Sequence, residues 1–181
     1  PGMKWHQWEA VNRDGAREGA RTAFGGYADV HYDFTKAAVV VSLGADFLGE
    51  GPGHLRYARD FMSRRRVRKG TTSMNRLYVI ESSPTLTGAK AEHRLPMRSS
   101  DIEGFARNLA AAVGAGGGQA GAANPNVEKW VAAVAKDLQA HKGTSVVMAG
   151  EFQPPAVHVL AHAINRTLGN IGTTVTYGGA L

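Results

Sequence analysis

Three continuous apolar runs punctuate the chain. They are Ala37-Ala38-Val39-Val40-Val41, Leu77-Tyr78-Val79-Ile80 and Ser145-Val146-Val147-Met148-Ala149. Runs this short and rich in β-branched residues predict strands covered on both faces, the pattern of a parallel sheet. Trp5 to Glu9 and His93 to Met97 read as short extended pieces, and Val175 to Tyr177 as a last strand. Between the runs, apolar residues recur every three or four positions, which predicts helices. Asn12 to Phe24 is a polar helix closed by Gly25-Gly26. Pro52-Gly53 opens a helix carrying Leu55, Ala58, Arg59 and Met62. Asp101 is placed to cap a helix with Ile102, Phe105, Ala106, Leu109 and Val113 on one face. Val127, Trp130, Val131, Val134 and Leu138 form another stripe. Pro154-Pro155 opens a final helix with Val157, Leu160, Ala161, Ile164 and Leu168 inward.

Strands alternating with helices of this length make βα units. They predict a three-layer, doubly wound α/β fold around a mostly parallel sheet. A chain of 181 residues fits one such domain, here 3–181. Gly114 to Asn126, rich in Gly and Ala, reads as a flexible internal linker. Pro1-Gly2 ahead of Met3 reads as a tag remnant, and the start of the chain lacks the apolar stretch of a signal peptide. No apolar run approaches the ~20 residues of a membrane-spanning helix, so no direct membrane insertion is expected.

Composition narrows the chemistry. The chain has no cysteine, which excludes disulfides, thiolate metal sites and cysteine-ligated clusters within it. Its net charge of +6 permits acidic partners. The basic run Arg64-Arg65-Arg66-Val67-Arg68-Lys69 lacks interleaved aromatics or a recognised motif, so it reads as a solvated loop with no nucleic-acid partner. His158 and His162 share a helix face with Asn165. They lack the Glu that a zinc-binding helix would place after the first His, so this is read as a hydrogen-bonding polar stripe.

In a parallel α/β sheet, ligands bind beyond the carboxyl ends of the strands. Those ends are 43–53, 81–87 and 150–154. Gly49-Glu50-Gly51-Pro52-Gly53 can be a phosphate cradle or a plain strand-to-helix turn. Asp46 and Glu50 in the same loop would repel a pyrophosphate or occupy the amides themselves. Asp46, Glu81 and Asp101 can meet as an acid–base cluster at this edge. Ser83, Ser99 and Ser100 lie outside any G-x-S-x-G nucleophile motif.

Several stretches together resemble one family. They are Trp5 to Asp14, Ser42 to Gly53, Tyr57 to Phe61, Glu81 to Ala89, His93 to Pro96 and Leu168 to Gly172. In this order they resemble the molybdopterin-oxidoreductase-like part of the large extracytoplasmic B subunit of bacterial alternative complex III, a quinol-oxidising respiratory assembly. The resemblance runs from Trp5 to Tyr177.

It implies a piece of a larger subunit on the periplasmic face of the inner membrane. Iron–sulfur clusters are expected elsewhere in that subunit. The partners would be the other domains of the subunit and other subunits of the membrane complex. The wider superfamily binds a molybdopterin guanine dinucleotide at these strand ends, through loops resembling Gly-Ala-Asn-Pro, Asp-Pro-Arg and Arg-Pro-Gly-Thr-Asp. Here the loops read Gly44-Ala45-Asp46-Phe47, Glu81-Ser82-Ser83 and Arg98-Ser99-Ser100-Asp101. Carboxylates are added or moved and an arginine, a planar multidentate donor, is lost. The resemblance thus implies a scaffold domain without cofactor and without turnover of its own. The alternative is a divergent oxidoreductase holding the dinucleotide through Gly44, Asp46, Glu81, Ser83, Asp101 and Gly150. A third class, a nucleotide-binding module, requires the acidic loops to accept phosphate.

Overall fold

Val39–Leu43 forms β2, and every one of its five side chains is fully buried. A strand this apolar must sit at the centre of a sheet, and it does. In a computed structural model of the chain, a parallel sheet runs in the order β4-β3-β2-β5, with β3 at Arg76–Glu81, β4 at His93–Pro96 and β5 at Ser145–Ala149. β2 pairs with β3 from Val39↔Arg76 to Leu43↔Ile80, and with β5 from Val39↔Ser145 to Leu43↔Ala149. The structure describes all residues except 1, 7, 9, 11, 68, 71, 72, 117, 119–123, 180 and 181.

Successive strand side chains alternate between faces, so the sheet carries two cores. On one face Val39, Val41, Leu43, Ile80 and Val147 pack against α4 (Ile102–Ala112), α5 (Pro125–Ala140) and α6 (Pro155–Thr167). On the other, Val40, Leu77, Val79 and Val146 pack against α2 (His54–Ser63) and the rings of Phe34 and Phe47. Each fully buried side chain of this size contributes ~1.5–3 kcal/mol. Helices lie on both faces of the parallel sheet, which is the expected three-layer α/β arrangement. Three further elements complete it. α1 (Asp14–Phe24) packs on α6, the single-turn α3 (Leu86–Ala89) follows β3, and β1 (Ala28–Tyr32) pairs antiparallel with β6 (Val175–Gly179) in a separate two-stranded sheet.

Four local expectations change. α2 does form, but it buries Tyr57 and Phe61, whereas Leu55 is 77% exposed and Met62 39%. The aromatic positions rather than the aliphatic ones face the sheet, because they meet Phe34 and Phe47 there. The described residues around Trp5 and Trp8 form no strand, and both indoles are exposed, with no neighbouring strand to pair them. Of the linker expected at 114–126, residues 117 and 119–123 lie outside the described residues, and Pro125 and Asn126 already form the first turn of α5, capped by the Asn124 side chain.

The fourth change concerns the basic run. Arg65 is not a solvated side chain. Its guanidinium donates to both carboxylate oxygens of Glu92 at 2.8 and 2.7 Å and to Asn75 Oδ1 at 2.8 Å, and lies over the Phe61 ring at 4.4 Å. Burial alone would raise the Glu92 pKa, but the Arg65 hydrogen bonds and the Leu77 amide outweigh it and hold the carboxyl below its ordinary value. A guanidinium fits this slot because its planar fork matches a carboxylate in two places at once.

Candidate functional site

The chain leaves β2 toward β3 through α2, while β5 joins on the opposite side of β2. The carboxyl ends of β2 and β5 therefore flank the topological switch point, where ligands bind in open α/β sheets. Gly44 and Gly150 meet here. Gly44 turns with φ 73°, its amide donating to Ile80 O at 2.8 Å, and the Gly150 amide donates to Leu43 O at 3.0 Å. A Cβ on Gly150 would run into the Gly44 carbonyl, so the two backbones touch where a wider site would leave a gap. The buried Gln153 side chain closes the space above Gly44 and donates toward Ser99 Oγ at 3.4 Å.

A roof covers the rest of the crevice. α1 approaches α6 closely through Gly15 and Gly19. A Cβ at either position would lie 2.5 Å from Gln153 O or from His158 Cβ. Beneath α1 and β1 remains a cavity of about 110 Å³, lined in part by Tyr32, Phe47, Met148, Gly150, His158 and His162. Arg13 at the start of α1 reaches Glu151 at 2.8 Å and Asp29 at 3.9 Å, pinning the roof to the strand ends.

The polar stripe on α6 faces inward. Asn165 accepts from the Val147 amide at 3.0 Å and donates to its carbonyl at 2.6 Å, tying α6 to β5. His162 Nδ1 shares a 3.1 Å hydrogen bond with the Tyr177 hydroxyl. Burial depresses His162 to about 4, with His158 nearby as a smaller contribution. His158 is likewise depressed to about 4 by burial, against the backbone carbonyls of Gln153 and Gly150, which favour its proton. Its Nε2 is buried and has no hydrogen-bond partner. Both rings are neutral at pH 7. Burial also pushes the Tyr32 phenol up, with Tyr177 and Tyr57 adding to the shift.

The candidate carboxylates do not gather into one cluster. Asp46 Oδ1 accepts from the Thr87 amide at 2.8 Å and from the Thr87 hydroxyl at 2.6 Å. Glu81, 3% exposed, accepts from Thr85 Oγ1 at 2.7 Å and pairs with Arg94 Nε. Both acids thus grip the short turn of α3, whose N-cap is Thr85. Gly88 is required beneath Glu81, because a Cβ there would overlap the carboxylate. Ser83 and Asp101 are exposed. Asp101 holds the helix-start position without capping it. It continues the 3-10 turn of Ser99–Asp101 at φ −93°, ψ −12°, whereas a capping side chain works from an extended backbone. Its carboxylate accepts from Ser100 Oγ at 3.1 Å instead.

A pyrophosphate at these loops needs free amides and cations. The Thr87 amide is taken by Asp46, the Arg94 guanidinium by Glu81 and the gap between Gly44 and Gly150 by their own backbones. The cavity is also well below the ~300–1,000 Å³ of ordinary ligand sites. The residues present do not fit a pyrophosphate-linked dinucleotide. Among the described residues, no group of three or more His, Cys, Asp or Glu can hold a metal ion, and no helix is long and apolar enough to cross a membrane.

β1 and its Tyr32 are not among the strands expected from the apolar runs. The signal was there, since Ala28-Asp29-Val30-His31-Tyr32 alternates apolar and polar. His158 was singled out, but nothing in the stripe marked it as the member left without a partner. No protein-family model matches the chain, and no curated protein matches it.

Proposed function

We propose that this chain is a non-catalytic, molybdopterin-oxidoreductase-like scaffold domain of a respiratory electron-transfer subunit, of the type found in quinol-oxidising alternative complex III. It would sit on the extracytoplasmic face and present its surfaces to the iron–sulfur part of the same subunit and to membrane partners. One observation carries the scaffold half of the reading. The groups at the strand ends that would meet a dinucleotide are spent on one another, Asp46 on Thr87 and Glu81 on Arg94 and Thr85. Such closed pairs hold loops in place and leave little for an incoming phosphate. The family half rests on the resemblance in the loop sequences from Trp5 to Gly172. Metal analysis and pterin fluorescence of the complete subunit test both halves. The reading expects iron without molybdenum and without pterin. Stoichiometric molybdenum and pterin would overturn it in favour of a divergent oxidoreductase.

A further inference from the structure

α2 turns Tyr57 and Phe61 toward the sheet, and on its opposite side Leu55, Arg59 and Met62 follow at the i, i+4, i+7 spacing of one stripe. Leu55 and Met62 are exposed, and Arg59 keeps 70% of its side chain accessible. Arg56 stands beside the stripe, exposed, with its guanidinium 5.0 Å from the centre of the Tyr57 ring and no carboxylate partner among the described residues. Single exposed apolar side chains are ordinary on a protein surface. Two of them on one helical stripe, with arginines between and beside them, make the pattern of a helix that lies in a membrane interface.

A groove of about 440 Å³ runs beside the stripe, lined by His31, Lys36, Arg56 and Arg59, with Asp33 and Asp60 as its acids. Both acids are engaged within the fold. Asp33 accepts from the Thr35 amide at 3.0 Å and pairs with Lys36 at 3.0 Å, and Asp60 accepts from Arg59 Nε at 3.0 Å. Asp29, on the other side of Arg56, lies 3.9 Å from Arg13. Glu50, which precedes the helix, lines the cavity under α1. Past the helix end, Arg64 donates to Thr35 O at 3.0 Å, while Arg66 and Lys69 are exposed. The helix face, its groove and the turn that follows therefore carry cations in clear excess over carboxylates.

We propose that the outer face of α2 and this groove dock on an anionic phospholipid surface. Arg56, Arg59 and Lys36 meet the phosphates, and Leu55 and Met62 enter the headgroup boundary. The excess of cations selects an anionic surface. The apolar side chains select lipid over an acidic polypeptide. A protein interface gathers its apolar residues into a core inside a polar rim, whereas here Arg59 stands between Leu55 and Met62. The helix lies on the bilayer and does not cross it, since its 10 residues span ~15 Å against a hydrocarbon core of ~30 Å. This goes beyond the scaffold reading and does not depend on it.

The test is co-sedimentation of the full chain with vesicles of phosphatidylglycerol and phosphatidylcholine in equal parts, against vesicles of phosphatidylcholine alone. Binding is expected to the first and not to the second, and it should weaken as salt is added. Each Lys or Arg near such a surface is worth about fivefold in affinity, so the double variant R56Q/R59Q should lose up to about 25-fold. The charge-matched control K129Q/K136Q removes two exposed lysines from α5, on the opposite face of the sheet, and should lose less than about threefold. L55S/M62S leaves the charge intact and should lose about tenfold. Circular dichroism checks that each variant keeps the fold. Absence of binding, or equal losses in R56Q/R59Q and K129Q/K136Q, overturns the proposal, because the net charge of the chain would then account for all of it. So does unchanged binding in L55S/M62S. Poly-L-glutamate that binds as tightly as the vesicles, with the same loss in R56Q/R59Q, would assign the face to an acidic polypeptide and overturn the proposal as well.

Discussion

The carboxyl edge of the sheet presents two neighbouring regions that solve the same problem differently. At the end of β3, each buried polar group finds its counterpart within the fold. Glu81 has Arg94 and Thr85, Asp46 has the amide and hydroxyl of Thr87, and Thr85 caps Gly88. At the β2–β5 crevice the apolar residues pack equally well, yet Arg13 Nε, Gln153 Oε1 and His158 Nε2 are buried without a hydrogen-bond partner, and Arg13 and His158 line a cavity. Buried polar groups without partners are costly, so a complete network marks a region built for stability. An incomplete one beside open space marks a place for something else. The comparison separates what holds the loops from what remains able to bind.

The largest effect should come from breaking the complete network. Arg94→Met leaves Glu81 buried without its cation, and removing one member of such a pair costs ~3–5 kcal/mol. Urea denaturation reads this directly. Adding Glu81→Gln should return part of the loss, since it removes the stranded charge. A cost below ~1 kcal/mol for Arg94→Met would mean the carboxylate is solvated after all.

The crevice responds to acid instead. His158 and His162 titrate near 4 in the fold and near 6.5 when unfolded, so the unfolded chain takes up protons first. Stability is therefore fully present above about pH 6.5 and falls as the pH drops from 6.5 toward 4. The slope approaches ~1.4 kcal/mol per pH unit for each ring. Denaturation midpoints across this range should show it, and His162→Phe should roughly halve the slope. A flat profile would mean the rings are not held neutral by burial.

The same contrast of used and unused groups divides the basic run. Arg65→Ala should cost ~2 kcal/mol, because it strands Glu92 and Asn75 and uncovers Phe61. The adjacent, exposed Arg66→Ala should stay within ~0.5 kcal/mol. Equal effects would refute the assignment. Smallest of all, Ser83→Ala and Asp101→Ala should each change stability by less than ~0.5 kcal/mol, as both side chains are exposed.

How much of this was legible depends on the range of the interaction. The strands of the parallel sheet and the helices with clean apolar stripes follow from local periodicity, as in Ile102, Phe105, Ala106 and Leu109, all buried on one face. The inward face of α2 is not legible locally, because Leu55 and Tyr57 are both plausible inward residues until the Phe34–Phe47 stack is known. The acidic loops were recognised as hostile to phosphate, and one reading had Asp46 occupying an amide. That the amide belongs to Thr87, 41 positions along the chain, is a tertiary fact. Arg65 was lost for the same reason, since Glu92 lies 27 residues away. Nothing local says that α1 roofs the crevice, though Gly15 and Gly19, spaced four apart, are the residues that let it approach.

The scaffold proposal stands or falls on whether the strand-end loops, closed on themselves by the Asp46–Thr87 and Glu81–Arg94 contacts, can take a nucleotide. Calorimetric titration of the intact chain with guanosine diphosphate tests it most directly. The expected result is no saturable heat at millimolar nucleotide. Binding in the low-micromolar range, lost on Ser83→Ala or Asp101→Ala, would contradict it.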